Sequence, residues 1–159
     1  MRRMLKEYGE KYYLKLSARN KLIRENHFEA ARKLSQWKSF FAQEWSQVQV
    51  VSMDIFDSVN KPFPVGDELK PNITLEVDGI DREHVGVEIV FFDKRKPDAA
   101  FGEIIFSKEM LPIETKDKLV TYECKIPITI SGVFEYAFKI YPKHPLLPHK
   151  IDFPLYKWV

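Results

Sequence analysis

Phe134-Glu135-Tyr136-Ala137-Phe138-Lys139-Ile140 alternates large apolar side chains with polar or small ones at a period of two. That period puts successive side chains on opposite faces of an extended chain, so the segment Val133 to Tyr141 predicts a half-buried β-strand. The same alternation recurs upstream, in Ile73, Leu75 and Val77 and in Val85, Val87 and Ile89. Further strand candidates are Val48 to Phe56, Leu69 to Val77, Val85 to Phe92, Phe101 to Phe106, Leu119 to Ile128 and Leu155 to Val159. The breaks carry turn chemistry: Asp78-Gly79, Lys96-Pro97-Asp98, Lys116-Asp117 and Ser131-Gly132, with a turn-rich loop over Lys61 to Asp67. About seven short strands with turns every 8–12 residues and no βαβ rhythm predict an immunoglobulin-like antiparallel β-sandwich over 47–159.

Before residue 47 the period is different. From residue 2 to 45 there is no proline and a single glycine, Gly9. Leu5, Tyr8, Tyr12 and Leu16 fall on one helical face, and Ala30, Leu34, Trp37, Phe41 and Trp45 form a second stripe. The more polar Ser17 to Asn26 is placed as the bend, and Asn26 with Glu29 as a capping box opening the second helix. Residues 1–46 are therefore expected to form a helical hairpin, and the fold as a whole to be mainly β with N-terminal helices.

Composition narrows the classes. The chain of 159 residues is 45% hydrophobic and 30% charged, enough apolar material for a packed core. The formal net charge is only +2, which argues against a dedicated nucleic-acid binder. The charge is uneven, with 11 basic against 5 acidic residues in 1–46 and 14 against 18 in the rest. No apolar run approaches the length of a membrane helix, and the basic, then acidic and aromatic start at Met1 lacks a signal-peptide core. One cysteine, Cys124, excludes an internal disulfide and fits a reducing compartment, so a cytoplasmic protein is expected.

A search for reactive groups finds no complete constellation. His27, His84, His144 and His149 fit no zinc motif, and His144 with His149 lacks an evident third ligand. Cys124 sits inside a strand pattern and reads as a buried thiol. Ser131 precedes Gly132 in a turn, no nucleophile elbow or phosphate-cradling glycine loop is present, and the pairs Asp54/Asp57 and Asp81/Glu83 carry no catalytic signature. The expectation is a chain with no catalytic residue, no metal and no cofactor. Trp37 and Trp45 read as core, whereas Tyr141, Tyr156 and Trp158 are less constrained.

Ser131-Gly132-Val133-Phe134-Glu135-Tyr136, followed by Tyr141-Pro142-Lys143-His144-Pro145-Leu146-Leu147-Pro148 and Leu155-Tyr156-Lys157-Trp158, resembles the C-terminal tail of microbial α-glucan (glycogen/maltodextrin) phosphorylases. Val65-Gly66-Asp67-Glu68-Leu69 and Val85-Gly86-Val87-Glu88 are similar to sandwich strands of the same family. Glu7-Tyr8 to Tyr12-Tyr13-Leu14 is similar to the helix closing its catalytic region, and Ala30-Ala31 with Leu34, Trp37-Lys38 and Trp45 to the helix that follows. Asp81 stands where the family pattern has proline, and Phe153-Pro154 replaces a glycine-containing step.

The resemblance implies glucan phosphorolysis with pyridoxal phosphate on a lysine of a large catalytic region, which has no counterpart in 159 residues. This chain is thus expected to be a non-catalytic C-terminal module or separately encoded companion, serving stability, assembly or polymer positioning. Its expected partners are a phosphorylase catalytic region or a second copy of itself, with α-1,4-glucan as a further ligand and neither nucleic acid nor membrane. Tyr8, Tyr12, Tyr141, His144 and Trp158 are the candidate interaction residues. The alternative from another class is an autonomous carbohydrate-binding β-sandwich module.

Overall fold

A computed structural model of the protein describes residues 14–55, 65–93, 103–129, 134–147 and 149–159. Leu5, Tyr8, Tyr12, Phe56, Asp57, the loop over 61–64, Lys96-Pro97-Asp98 and Ser131-Gly132 lie outside the described residues, as does the side chain of Leu16. The chain divides into two compact units, Met1–Gln43 and Glu44–Val159, and each is taken by itself. No described helix is long and apolar enough to cross a membrane.

The first unit is helix α1 (Leu14–Glu44), broken once. Within the polar stretch Ser17 to Asn26, Leu22, Ile23 and Arg24 extend the first arm, so the bend is confined to its end. The break comes at Glu25, whose ψ is 151°, and at Asn26, His27 and Phe28, which stand at φ 50°, 55° and 63°. A capping residue needs an extended backbone, so Asn26 in the left-handed region does not cap the second arm as its spacing to Glu29 predicts. Glu29 pairs instead with Lys33 at 2.6 Å, and Arg32 Nη2 donates to the His27 carbonyl across the break. Beyond it the apolar stripe holds: Trp37 stacks on Phe41 with ring centroids 4.5 Å apart, and Phe41 is buried. Trp45 is not in the helix but in the 3-10 turn Trp45–Gln47 that opens the second unit.

That unit contains strands β1 (Gln49–Ile55), β2 (Glu68–Leu69), β3 (Pro71–Glu76), β4 (Val85–Asp93), β5 (Glu103–Lys116), β6 (Leu119–Glu123), β7 (Ile126–Pro127), β8 (Phe134–Pro142) and β9 (Lys157–Trp158). Seven form one antiparallel sheet in the order β1-β3-β6-β5-β4-β8-β9, while β2 and β7 make a separate short ladder. Two predicted strands are therefore each split in two. Lys70 separates β2 from β3, and Cys124-Lys125 separate β6 from β7, so that each stretch serves both ladders.

The largest departure from the sequence pattern is β5, which runs ten residues past the predicted end at Phe106. Its first half pairs with β4, from Asp93↔Glu103 to Val87↔Met110, and its second half with β6, from Leu111↔Glu123 to Lys116↔Leu119. A register shift between Pro112 and Glu114 accommodates the proline, which cannot donate to a ladder. One strand thus changes sheets at a bend, the usual way a sandwich turns a corner. The two-residue turn after it has Asp117 at φ 54°, the positive value that hairpin turns of this length demand.

The core lies between the two halves. Ile73 and Leu75 on β3, Val120 and Tyr122 on β6, Val87 and Ile89 on β4, and Phe138 and Ile140 on β8 are all buried, which the period-two pattern predicts. On the side away from β5, Lys157 of β9 donates to the carbonyls of Ser46 and Val48, so the two ends of the strand order meet. Burial pushes this amine below the ordinary lysine range. Where β5 changes partners, Met110 is 2% exposed and Leu111 65%. Met110→Ala is therefore expected to lose about 2–5 kcal/mol, and Leu111→Ala to stay within about 0.5 kcal/mol of the parent. Urea unfolding of the two variants distinguishes them, and equal losses would contradict the placement of Met110 in the core and Leu111 at the surface.

Candidate functional site

The outward face of β5-β4-β8-β9 gathers a cluster of polar and titratable side chains. Register places Glu109, Glu88, Lys139 and Trp158 in one row across the four strands, and Gly86 opposite Tyr141 in the next. Tyr141 is 1% exposed, and its ring lies flat on Gly86. A Cβ at position 86 would come within 2.5 Å of Tyr141 Cε2 and 2.6 Å of Cζ. Lys150 closes the stack from above, 4.5 Å from the Tyr141 ring, and its amine bonds Glu88 at 3.1 Å. Glu88 accepts a second bond from the Ser107 hydroxyl at 2.8 Å. Burial pushes the Tyr141 phenol up. Burial works to lower Lys150, but Tyr141 and Glu88 outweigh it and leave the amine raised.

The loop after β8 docks on the 3-10 turn Arg82–His84, whose N-cap is Asp81: its Oδ1 accepts from the Glu83 N–H at 3.0 Å. The Lys143 N–H donates to the His84 carbonyl at 2.7 Å, and the Lys143 amine pairs with Glu109. His144 stacks on His84 with ring centroids 5.4 Å apart and planes 21° apart, and its Nδ1 accepts from the Leu146 N–H at 3.1 Å. The spacing in sequence suggests His149 as the neighbour of His144; the fold supplies His84 instead. His149 turns to the 3-10 segment Lys150–Asp152, its N–H donating to Asp152 Oδ2 at 3.1 Å. Among the described residues no group of three His, Cys, Asp or Glu gathers to hold a metal ion. Cys124 is buried and its thiol is pushed up to about 11, mainly by that burial.

Of the candidate interaction residues, Tyr141 and His144 join one packed node, whereas Trp158 stands apart and is 50% exposed. Tyr8 and Tyr12 lie outside the described residues. Lys139 lies between two rings, 4.7 Å from the centroid of Tyr156 and 5.5 Å from that of Trp158. Sequence spacing misses Gly86, Glu88, His84 and Lys150, because their partners lie tens of residues away. It also misses a second aromatic run on the inward face. Phe106, Phe91 and Tyr136 are register partners with centroids 6.3 Å apart in each pair, and Tyr136 meets Phe138 at 6.0 Å. This ladder leads into a groove of about 330 Å³ lined by Met53, Ile55, Tyr136, Phe138 and Val159.

A pyridoxal phosphate lysine needs a free, weakly basic amine. Lys157 has the lowered basicity but spends its amine on two carbonyls, and Lys143, Lys150 and Lys118 spend theirs on carboxylates. The residues around these amines do not fit that cofactor.

Two outcomes follow from the node. Gly86→Ala should destabilise the β unit by about 1–3 kcal/mol through overpacking. The loss should largely vanish when Tyr141→Ala is the background, so a double-mutant cycle in which the two changes simply add would contradict the stack. His144 is held below the ordinary histidine value of 6.5, first by burial and then by the charge of His84. Between the lowered value and 6.5 the unfolded chain binds more protons than the folded one, so stability falls as pH drops through that window. His144→Asn keeps an oxygen for the Leu146 N–H without titrating. Its stability, followed by urea unfolding from pH 7 to pH 5, should decline less than the parent's; an unchanged slope would contradict the assignment.

With this geometry in place, comparison with known proteins is informative. Residues 45–159, the whole of the β unit but one residue, match the glycogen phosphorylase C-terminal domain. The maltodextrin phosphorylase of Thermococcus litoralis is 27% identical over 158 residues, covering 98% of this chain and 18% of its own length. The glycogen phosphorylases of Mycobacterium bovis and Mycobacterium tuberculosis are each 23% identical over 146 residues, covering 91% of this chain and 17% of theirs. The chain spans under a fifth of the length of these curated relatives. The residues of the packed node, Gly86 under Tyr141 and His144 against His84, lie within the matched segment, and the chain belongs to the glycogen phosphorylase C-terminal domain family.

Proposed function

We propose that the chain is a non-catalytic C-terminal module of an α-glucan phosphorylase, or a separately encoded companion to one, whose role is stability and assembly. The observation that carries this is the inward aromatic ladder. Phe106 and Tyr136 are 41% and 47% exposed, and Met53 and Val159 beside them are similarly wet. An uncharged, aromatic and Met-containing surface of this kind has the composition of an interface core. The outward face supports the same reading from the other side, since Glu88, Glu109, Lys143 and Lys150 are spent on one another and His144 stacks on His84. A lone cysteine with a raised pKa suits the reducing cytoplasm.

Two measurements test the proposal. Incubated with glycogen and inorganic phosphate, the chain alone should release no glucose-1-phosphate; phosphorolysis would refute the non-catalytic role. Without a catalytic region to cover it, the ladder should drive weak self-association seen by light scattering. Phe106→Asp with Tyr136→Asp should abolish it, and a parent that stays strictly monomeric at high concentration would count against the assembly role.

A second reading, glucan binding by the module itself, is favoured by one separate observation, the exposed pair Tyr156 and Trp158 around the Lys139 amine.

A further inference from the structure

We infer that Trp158, Tyr156 and Lys139 form a contact site for a linear α-glucan on the outward face of β8 and β9, an inference that rests on the glucan-binding reading above. The two rings are 50% and 37% exposed, and the backbone that carries Trp158 is held in the sheet. Trp158 pairs with Lys139, and immediately beyond it Val159 and Phe138 exchange both backbone bonds, at 2.7 and 3.0 Å. A ring held this way loses little freedom when a ligand stacks on it.

The chemistry of the cluster selects the ligand. A glucose unit offers an apolar face of C–H groups and a rim of hydroxyls, and the exposed indole and phenol supply apolar ring surface with polar tips. The Lys139 ammonium has three donors and no acceptor, suited to hydroxyl and ring oxygens. Glu88, its neighbour across the strand, directs its oxygens to Ser107 and Lys150, so the amine stays with the rings. The cluster holds one cation and no carboxylate, which suits a neutral polyol. A protein partner fits less well here, because interface cores are depleted of charge and this cluster has an ammonium at its centre. Tyr156 and Trp158, two residues apart in the chain and both beside the Lys139 amine, provide neighbouring platforms for adjacent sugar units.

The test is affinity electrophoresis of the intact chain in native gels containing glycogen, with maltoheptaose quenching of tryptophan fluorescence as the second readout. The parent should be retarded. Trp158→Ala should weaken retardation roughly tenfold or more, as loss of a central aromatic anchor does, while Trp158→Phe keeps part of it. Phe106→Asp with Tyr136→Asp, on the opposite face, should leave it unchanged. Thermal melts establish that each variant is folded. Equal retardation of a folded Trp158→Ala would overturn the site while leaving glucan binding elsewhere on the module. An unretarded parent would overturn both the site and the glucan-binding reading, and would leave the phosphorylase-module reading standing.

Discussion

The β unit depends on one strand belonging to two sheets. Glu103–Lys116 spends the backbone bonds of its first half on β4 and those of its second half on β6, so neither half of the sandwich has an independent edge on that side. Where the pairing switches, adjacent side chains keep the ordinary alternation of a strand: Met110 belongs to the core and Leu111 to the surface. On the opposite side no strand is shared, and the closure is made by a side chain. Lys157 reaches from β9 to the carbonyls that lead into β1, with the Trp45 ring 5.9 Å from its amine. Hydrogen bonds from a charged donor are worth more than neutral ones, particularly where burial removes the competing water. A covalent corner and a polar latch together place the core.

From that frame follows the economy of the outward face. Bringing β8 alongside β4 sets Tyr141 over Gly86, and only a residue without a Cβ leaves room for the ring. The tail then returns over the stack, so that Lys150, Glu88 and Ser107 satisfy one another and Lys143 satisfies Glu109. Residue types that elsewhere act as acids, bases and nucleophiles are here employed in holding the chain to itself. Among what remains exposed are an uncharged aromatic ladder and a ring pair around an amine.

Much of this is legible in the sequence, and the limits have physical causes. The alternation in β3, β4 and the end of β8 identifies Ile73, Leu75, Val87, Ile89, Phe138 and Ile140 as core because both halves of the sandwich cover them. The same alternation includes Tyr136, which is half exposed because it borders the groove lined by Met53, Ile55 and Val159. Strand β5 is hidden: Ile104, Ile105 and Phe106 are contiguous, Pro112 interrupts, and the register shifts between Pro112 and Glu114, so no single period spans it. Asn26 with Glu29 satisfies a capping pattern that the backbone then refuses. The packed node is invisible as a set, since Gly86 meets Tyr141 and Glu88 meets Lys150 only through strand pairing. The family resemblance was carried by those same segments, Val85 to Glu88 and Tyr141 to Leu147, without showing that they touch.

Native-state hydrogen exchange along Glu103–Lys116 tests the shared-strand account most directly. If the strand ties both sheets into one cooperative unit, the paired amides of its first and second halves should exchange with the same opening free energy, equal to that of global unfolding. Independent protection of the two halves, with one opening while the other stays closed, would contradict it.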